Sequence, residues 1–401
     1  MPSMSSAPNS TLSRRYAAIR REMAVRRLDA LVVTSLANVL YLTNFTGSSA
    51  IVVVTADRVY FITDFRYVTA FREAQAAQIS ADLDLVTVEG SYDATLAGVL
   101  AALPGRRIGF EAAHVTVSRY DWLTQALPRG VQSGPELVAT EGIVERARVI
   151  KDDYEIETFR EAARRLSTVA RAVVEEVRAG RSEREVALAI DFRIRSAGFE
   201  RSAFDTIVAG GPNAALPHAH PGERTFTEGD LVVLDFGGVY DSYCVDLTRT
   251  VSVGPAGARA RDVYAAVLEA HDRAIAAVSP GTSRFDIDAV ARGVLGRHGL
   301  GDAFGHGTGH GLGIDVHEEP RITRPRPGEA KGLDPSKPRA EGRALTGPGA
   351  DNDVVAPGMV FTIEPGAYLA GWGGVRIEDD VLVTEHGVEI LTDVPTELIE
   401  V

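Results

Sequence analysis

The sequence predicts two domains, an α/β domain followed by an α+β domain built from a duplicated αα-ββ unit. Three observations lead there. The chain has 401 residues, more than one hydrophobic core normally organises. Helical and strand patterns alternate through its first 135 or so positions, the rhythm of an α/β domain with a partly parallel sheet. After that, two β-rich stretches resemble each other and each follows a pair of helices.

The elements follow in order. MPSMSSAPNSTLSRR is polar and has no apolar h-region, so no secretory signal is expected and residues 1–12 are expected to form a disordered tail. Tyr16 to Leu28 is amphipathic at helical spacing. Ala30 to Ser35, Ile51 to Thr55 and Val59 to Thr63 are short apolar runs expected as strands. Phe65 to Gln78 returns to helix, and Arg107 to Phe110 is a further strand. This half, residues 13–140, has no glycine-rich phosphate loop and no His/Cys cluster, so its sequence points to no particular chemistry. Composition shifts at Gly134–Pro135, and the second domain is expected over 145–401. Its first helix spans about Asp152 to Ala179, with Ile156, Phe159, Ala163, Leu166, Ala170, Val173 and Val177 on one stripe. Asp152 or Asp153 can cap its start and Gly180 can end it. Ser182 and Glu185 form a capping box for a helix to about Ala197. Ala258–Val278 and Ser283–His298 make the second helix pair.

The two β-rich stretches are TEGDLVVLDFGGVYDSYCVDLTRT, from Thr227, and APGMVFTIEPGAYLAGWGGVRIEDDVLVT, from Ala356. Each carries a hydrophobic strand ending in a carboxylate, a Gly/Tyr-rich turn, and a second strand with another carboxylate. Asp235 and Asp246 face each other if Gly237 to Tyr243 form the turn, and a turn near Gly371 opposes Glu364 to Glu378. Directly opposed residues have Cβ atoms about 4.5–5.5 Å apart. Leu231–Leu234 and Met359–Ile363 precede Asp235 and Glu364, and carboxylates buried in such runs need a cation or several donors. Four that converge would not stay ionised without bound positive charge. GHGTGHGLGIDVHEEP adds His306, His310 and His317 within twelve residues, the first two flanked by glycines that let backbone approach closely.

These residues resemble, in order, the ligand set of the pita-bread metallopeptidases, the family of methionine aminopeptidase, aminopeptidase P, prolidase and creatinase. The resemblance runs from about residue 145 to the end, and more loosely over a creatinase-like N-terminal domain. It implies two divalent metal ions held by Asp235 (VLDFGG), Asp246 (VDLTRT), His310 (HGTGHGLG), Glu364 (FTIEPG) and Glu378 (VRIEDD). It also implies catalytic roles for His218, His317 and Glu364, and places His306 and Arg376 at the substrate's proline. His220 is close enough to His218 to be the functional one instead. The hard, oxygen-rich donor set favours Mn²⁺, with Co²⁺ and Zn²⁺ as alternatives. The N-terminal domain and the VRIED and VHEEP motifs favour the branch that cleaves after a residue preceding proline. The implied substrates are small peptides with proline second.

Arg321 to Ala350 departs from compact members, with five prolines, five glycines and seven basic residues against three acidic. It is expected as a surface insertion, or as a lid supplying Arg339 or Arg343 to a dipeptide carboxylate. That tilts the expectation toward a dipeptidase (prolidase) over an aminopeptidase P acting on longer peptides. A non-catalytic pita-bread binding protein is the reading from another class. The net charge of −13 argues against nucleic acid, no apolar run is long enough for a membrane span, and the single Cys244 fits a reducing cytosol. A homodimer is expected from the resemblance.

Overall fold

The computed structural model describes residues 6–77, 83–127, 134–325 and 353–401. The chain separates into two compact units between Arg148 and Val149.

In the first unit, α1 (Asn9–Val25), β1 (Ala30–Val33), α2 (Leu36–Thr43), β2 (Ile51–Thr55), β3 (Val59–Thr63), α3 (Phe65–Ala76), β4 (Asp84–Thr87), α4 (Tyr92–Ala102), β5 (Arg107–Glu111), α5 (Val117–Ala126) and β6 (Glu136–Thr140) precede α6 (Ile143–Val149). The sheet order is β4-β3-β2-β1-β5-β6. Pairing is antiparallel through β3-β2-β1 and parallel at both margins. The first helix begins at Asn9, inside the segment expected as a tail. Leu12 and Tyr16 are buried with Ile19 and Met23, so the apolar stripe starts about one turn before Tyr16, where the amphipathic segment was expected to begin. The strand after Gly134–Pro135 belongs to this unit, because β6 pairs with β5.

The second unit carries α7 (Asp153–Val173), α8 (Glu183–Ser196), β7 (Arg201–Ser202), β8 (Ile207–Gly210), β9 (Leu231–Tyr240), β10 (Tyr243–Ser252), α9 (Ala258–Ala276) and α10 (Arg284–Arg297). Then come β11 (Gly309–Gly311), β12 (Glu318–Ile322), β13 (Val360–Ile363), β14 (Gly366–Leu369), β15 (Gly373–Arg376), β16 (Asp379–Thr384), β17 (Gly387–Ile390) and β18 (Ile399–Glu400). Asp152 and Glu155, and again Ser182 and Glu185, form complete capping boxes. Asp152→Ala removes one acceptor for the orphan amides of α7 and should destabilise this unit by about 1 kcal/mol, read as a lowered urea midpoint at unchanged slope. α7 ends at Val173 rather than near Ala179: a 3-10 turn over Val174–Glu176 lets Val177 leave in an extended conformation.

Two cores reflect the duplication. Val232, Leu234 and Phe236 of β9, with Val245 and Leu247 of β10, pack with the helix pair α7–α8. Phe361, Ile363, Val375, Ile377 and Val381 pack with α9 and α10. The first strand pair turns at Asp241–Ser242 alone, both with positive φ (+48° and +68°), the two-residue mirror-type turn that matches strand twist.

Candidate active site

The period of two in a strand decides which side chains meet. On β9 and β10 the residues that pack with α7 and α8 alternate with Asp235, Asp246, Thr248 and Thr250, which therefore occupy the other face. On the second hairpin Phe361, Ile363, Val375 and Ile377 pack with α9 and α10, and alternate with Thr362, Glu364, Arg376 and Glu378. The carboxylates of both halves converge between the two sheets.

Their registers differ. Asp235 pairs with Thr248, and Asp246 with Gly237, so the two aspartates share a face but sit diagonally rather than directly opposed. The short turn shifts the pairing by two residues from that expected. On the second hairpin the register Ile363↔Asp379, continued one step, sets Glu364 directly across from Glu378.

Ligand atoms of Asp246, His310 and Glu378 all lie within 4.8 Å of one another. His310 Nε2 is 3.5 Å from Glu364 Oε1. All five residues line one open cavity of about 780 Å³. Burial, reinforced by Asp235, Asp380 and Glu364, pushes Asp246 well above the usual carboxylate range. Burial and the same crowd of charges, Asp246 first, do so for Glu378. Burial raises Glu364 to about 7. His310 is pressed down to about 3 by burial and by His317, so its ring is neutral. Its Nδ1 lies 3.1 Å from the Gly311 carbonyl; the Nδ1–H tautomer that donates there leaves the Nε2 lone pair facing the carboxylates, as a metal ligand requires. Asp246 Oδ1 is buried without a hydrogen-bond partner. A site with crowded acids, a neutral imidazole and an orphaned carboxylate oxygen fits divalent cations.

The glycines around His310 serve neighbouring strands. A Cβ on Gly309 would lie 1.8 Å from the Thr362 carbonyl oxygen, and one on Gly311 2.2 Å from that of Glu319. His306, His317, His218 and His220 also line the cavity. The His317 ring meets that of His310 edge-on at 4.3 Å. His218 and His220 both line the cavity, so either can face the substrate.

Arg376, His306 and Glu378 meet partners that the sequence reading does not single out. Arg376 Nη2 pairs with Asp235. Its Nη1 donates to the Tyr368 hydroxyl at 2.8 Å, leaving that O–H to donate to His306 Nε2 at 2.9 Å. Thr248 donates to Glu378 Oε2 at 2.6 Å. Arg249 is buried and spends its donors on the carbonyls of Thr248, Glu378, Val394 and Pro395 and on Asp379. Asp380 accepts the Asp246 amide at 3.0 Å. Thr248 and Thr250 could have been found: in the VDLTRT run they alternate onto the face of Asp246. Arg339 and Arg343 lie outside the described residues. Arg321, the first residue of that segment, is in β12, pairs with His310 and lines the cavity.

Comparison with known proteins gives the following. Residues 157–385 match metallopeptidase family M24 and residues 15–150 match the creatinase/prolidase N-terminal domain. The peptidase YqhT of Bacillus subtilis is 37% identical over 93% of this chain and 96% of its own length. A Xaa-Pro dipeptidase structure from Bacillus anthracis superposes with a TM-score of 0.85 at 34% identity, covering 97% of this chain and all of that one. An X-Pro aminopeptidase structure from Thermotoga maritima gives 0.80 at 31% identity, covering 95% and 100%. Among the described residues no helix is long and apolar enough to cross a membrane.

Proposed function

The chain belongs to metallopeptidase family M24 and is a metallo-exopeptidase, and from that premise we propose that it releases the N-terminal residue from Xaa-Pro dipeptides. The observation that carries this reading is the convergence of Asp235, Asp246, His310, Glu364 and Glu378 on one cavity. These five would hold two divalent cations, Mn²⁺ in this reading. Such ions lower the pKa of water so that hydroxide exists near neutral pH, and polarise a carbonyl.

The protein's own groups do the rest. Glu364, whose carboxylate lies 3.5 Å from His310 Nε2, carries the proton from the attacking water to the proline nitrogen. His317 and His218 donate hydrogen bonds to the oxyanion that develops on the scissile carbonyl. Arg376 holds Asp235 in place, and His306 with Tyr368 borders the proline ring. The reading includes a homodimer, which the family resemblance alone implies, and a reducing cytosol, which the single Cys244 fits.

The dipeptidase reading is favoured over the longer-peptide one by Arg321. Its guanidinium makes no hydrogen bond or ion pair with the described residues, yet it stands beside His310 and depresses both His310 and His317. A cation that lines the cavity on the strand paired with His310 suits the carboxylate of a C-terminal proline. Arg321→Ala should lower kcat/KM for Ala-Pro by roughly 30–100-fold, the cost of truncating one partner of a hydrogen-bonded charge pair, mainly through KM. The loss on Ala-Pro-Gly should be much smaller. The broader test is a panel of Ala-Pro, Ala-Pro-Gly and Ala-Ala with Mn²⁺ restored after chelation. Cleavage of Ala-Ala in preference to Ala-Pro would end the Xaa-Pro reading, and preference for Ala-Pro-Gly would end the dipeptidase one.

A further inference from the structure

The wall of the cavity beside Asp235 is built differently from the wall beside Arg321. Ile207 of β8 stands directly opposite Asp235 of β9, and cross-strand partners share a face. Just before it in the chain, Phe204 lies against β9, where a Cβ on Gly237 would come within 2.8 Å of its ring. Val316, one residue before His317, adds a third apolar surface to the same cavity. Between Phe204 and Ile207 sits Asp205. It is exposed and lines the cavity, and its carboxylate makes no hydrogen bond or ion pair with any described residue.

The cavity's arginines all come from elsewhere. Arg284 belongs to α10, Arg321 and Arg324 to β12 and the chain after it, and Arg376 to the second hairpin, where it is committed to Asp235. The cavity is thus polarised: on the α10–β12 side Arg284, Arg321 and Arg324 outnumber Glu319, whose Oε2 accepts the Arg321 amide at 3.0 Å, while on the β8 side Asp205 stands without an arginine. A dipeptide whose carboxylate meets Arg321 and whose scissile carbonyl lies at the metal centre directs its first residue away from those cations. That residue would then lie along Phe204, Ile207 and Val316, which line the same cavity as Asp205. An apolar surface ending in a carboxylate is the complement of a lysine or arginine side chain, whose aliphatic stem packs on apolar groups while its charged head keeps a polar partner.

We propose that Asp205 is a specificity-determining residue that selects Xaa-Pro dipeptides with a cationic first residue. The inference rests on the Xaa-Pro reading above and adds to it the class of side chain in first position. An ammonium or guanidinium gains a carboxylate partner there, a neutral side chain of the same length gains only the apolar contact, and a glutamate meets a like charge.

The experiment compares kcat/KM for Lys-Pro, Met-Pro and Glu-Pro using full-length, Mn²⁺-loaded enzyme. The wild type, Asp205→Asn and Asp205→Lys are measured at low and high salt. Lys-Pro should exceed Met-Pro by about fivefold in the wild type, the scale of a partly solvated ion pair, and added salt should shrink the ratio. Asp205→Asn should bring the ratio to about one, and Asp205→Lys should move the preference to Glu-Pro. Ratios between substrates do not depend on how much of a variant is folded, so a poorly folding variant still reports. A Lys-Pro to Met-Pro ratio that Asp205→Asn leaves unchanged overturns the proposal while the Xaa-Pro reading stands. A wild type that cleaves none of the three overturns both.

Discussion

Glu378→Gln is expected to abolish dipeptide hydrolysis and, in the metal-free protein, to raise the melting temperature. The two effects have one cause. Glu378 lies directly across from Glu364 and within 4.8 Å, ligand atom to ligand atom, of Asp246 and His310. A carboxamide of the same shape can still accept the hydrogen bond from Thr248, which reaches Glu378 Oε2 at 2.6 Å, so the fold need not move. What is lost is one negative charge from the groups that would hold the cations. Substituting groups that merely support a ligand costs about 10–100-fold in metal affinity or activity, so losing the ligand should exceed roughly 10³-fold. Without cations the same charge is a burden, because burial and the neighbouring acids hold Asp246, Glu364 and Glu378 above their ordinary range. For an acid whose folded value is raised, the folded state keeps a proton that the unfolded chain has lost. Its contribution is therefore present at low pH and disappears as pH rises through the folded value. For Glu364 that window runs from its ordinary 4.5 up to about 7. Stability of the metal-free wild type should thus fall, relative to the metal-loaded enzyme, as pH is raised across that window. Calorimetry with and without chelator, beside an Ala-Pro assay, measures all of this. If metal-free Glu378→Gln melts below the metal-free wild type at pH 8, the repulsion argument fails.

Ligands that lie inside apolar strand runs were legible from the sequence, because a carboxylate after Leu231–Leu234 or Met359–Ile363 contradicts its surroundings. Register was less so. The Asp241–Ser242 turn requires two positive φ values without Asn-Gly or any glycine to announce it. The hairpin therefore read as having a longer loop, and Asp235 was placed opposite Asp246 instead of diagonal to it. Tyr368 and Arg249 were invisible for another reason. A lone tyrosine in a glycine-rich hairpin and an arginine among threonines look like ordinary surface residues, and only tertiary packing buries their polar atoms against Arg376, His306 and the Glu378 carbonyl. In the first unit the apolar strands were evident. β6, half exposed and set after Gly134–Pro135, lies inside the 13–140 segment but has no apolar run to mark it as a strand, and its place follows from pairing with β5.

Arg376→Lys should cut kcat/KM for Ala-Pro by roughly 100-fold although it keeps the charge. Arg376 is 4% exposed and spans three groups at once: Nη2 on Asp235, Nη1 on the Tyr368 hydroxyl, and Nε on Thr248 Oγ1 at 3.2 Å. An ammonium concentrates its donors on one nitrogen and cannot reproduce that fork. The hydroxyl of Tyr368, no longer held as an acceptor by Nη1, is free to rotate away from His306, so the orientation of Asp235 and the wall beside the proline are lost together. If the three residues act as a unit, Tyr368→Phe should add little to Arg376→Lys, whereas independent contacts would multiply. The cost to stability should depend on metal. Leaving Asp235 buried beside a mismatched partner destabilises the metal-free protein by as much as about 3–5 kcal/mol, while bound cations supply the missing positive charge and shrink that loss. Kinetics on the two single variants and the double variant, with melting curves in chelator and in Mn²⁺, separate these outcomes. An Arg376→Lys enzyme within threefold of wild type, or a double variant whose losses multiply, would show that Arg376 serves only as a buried counter-charge to Asp235.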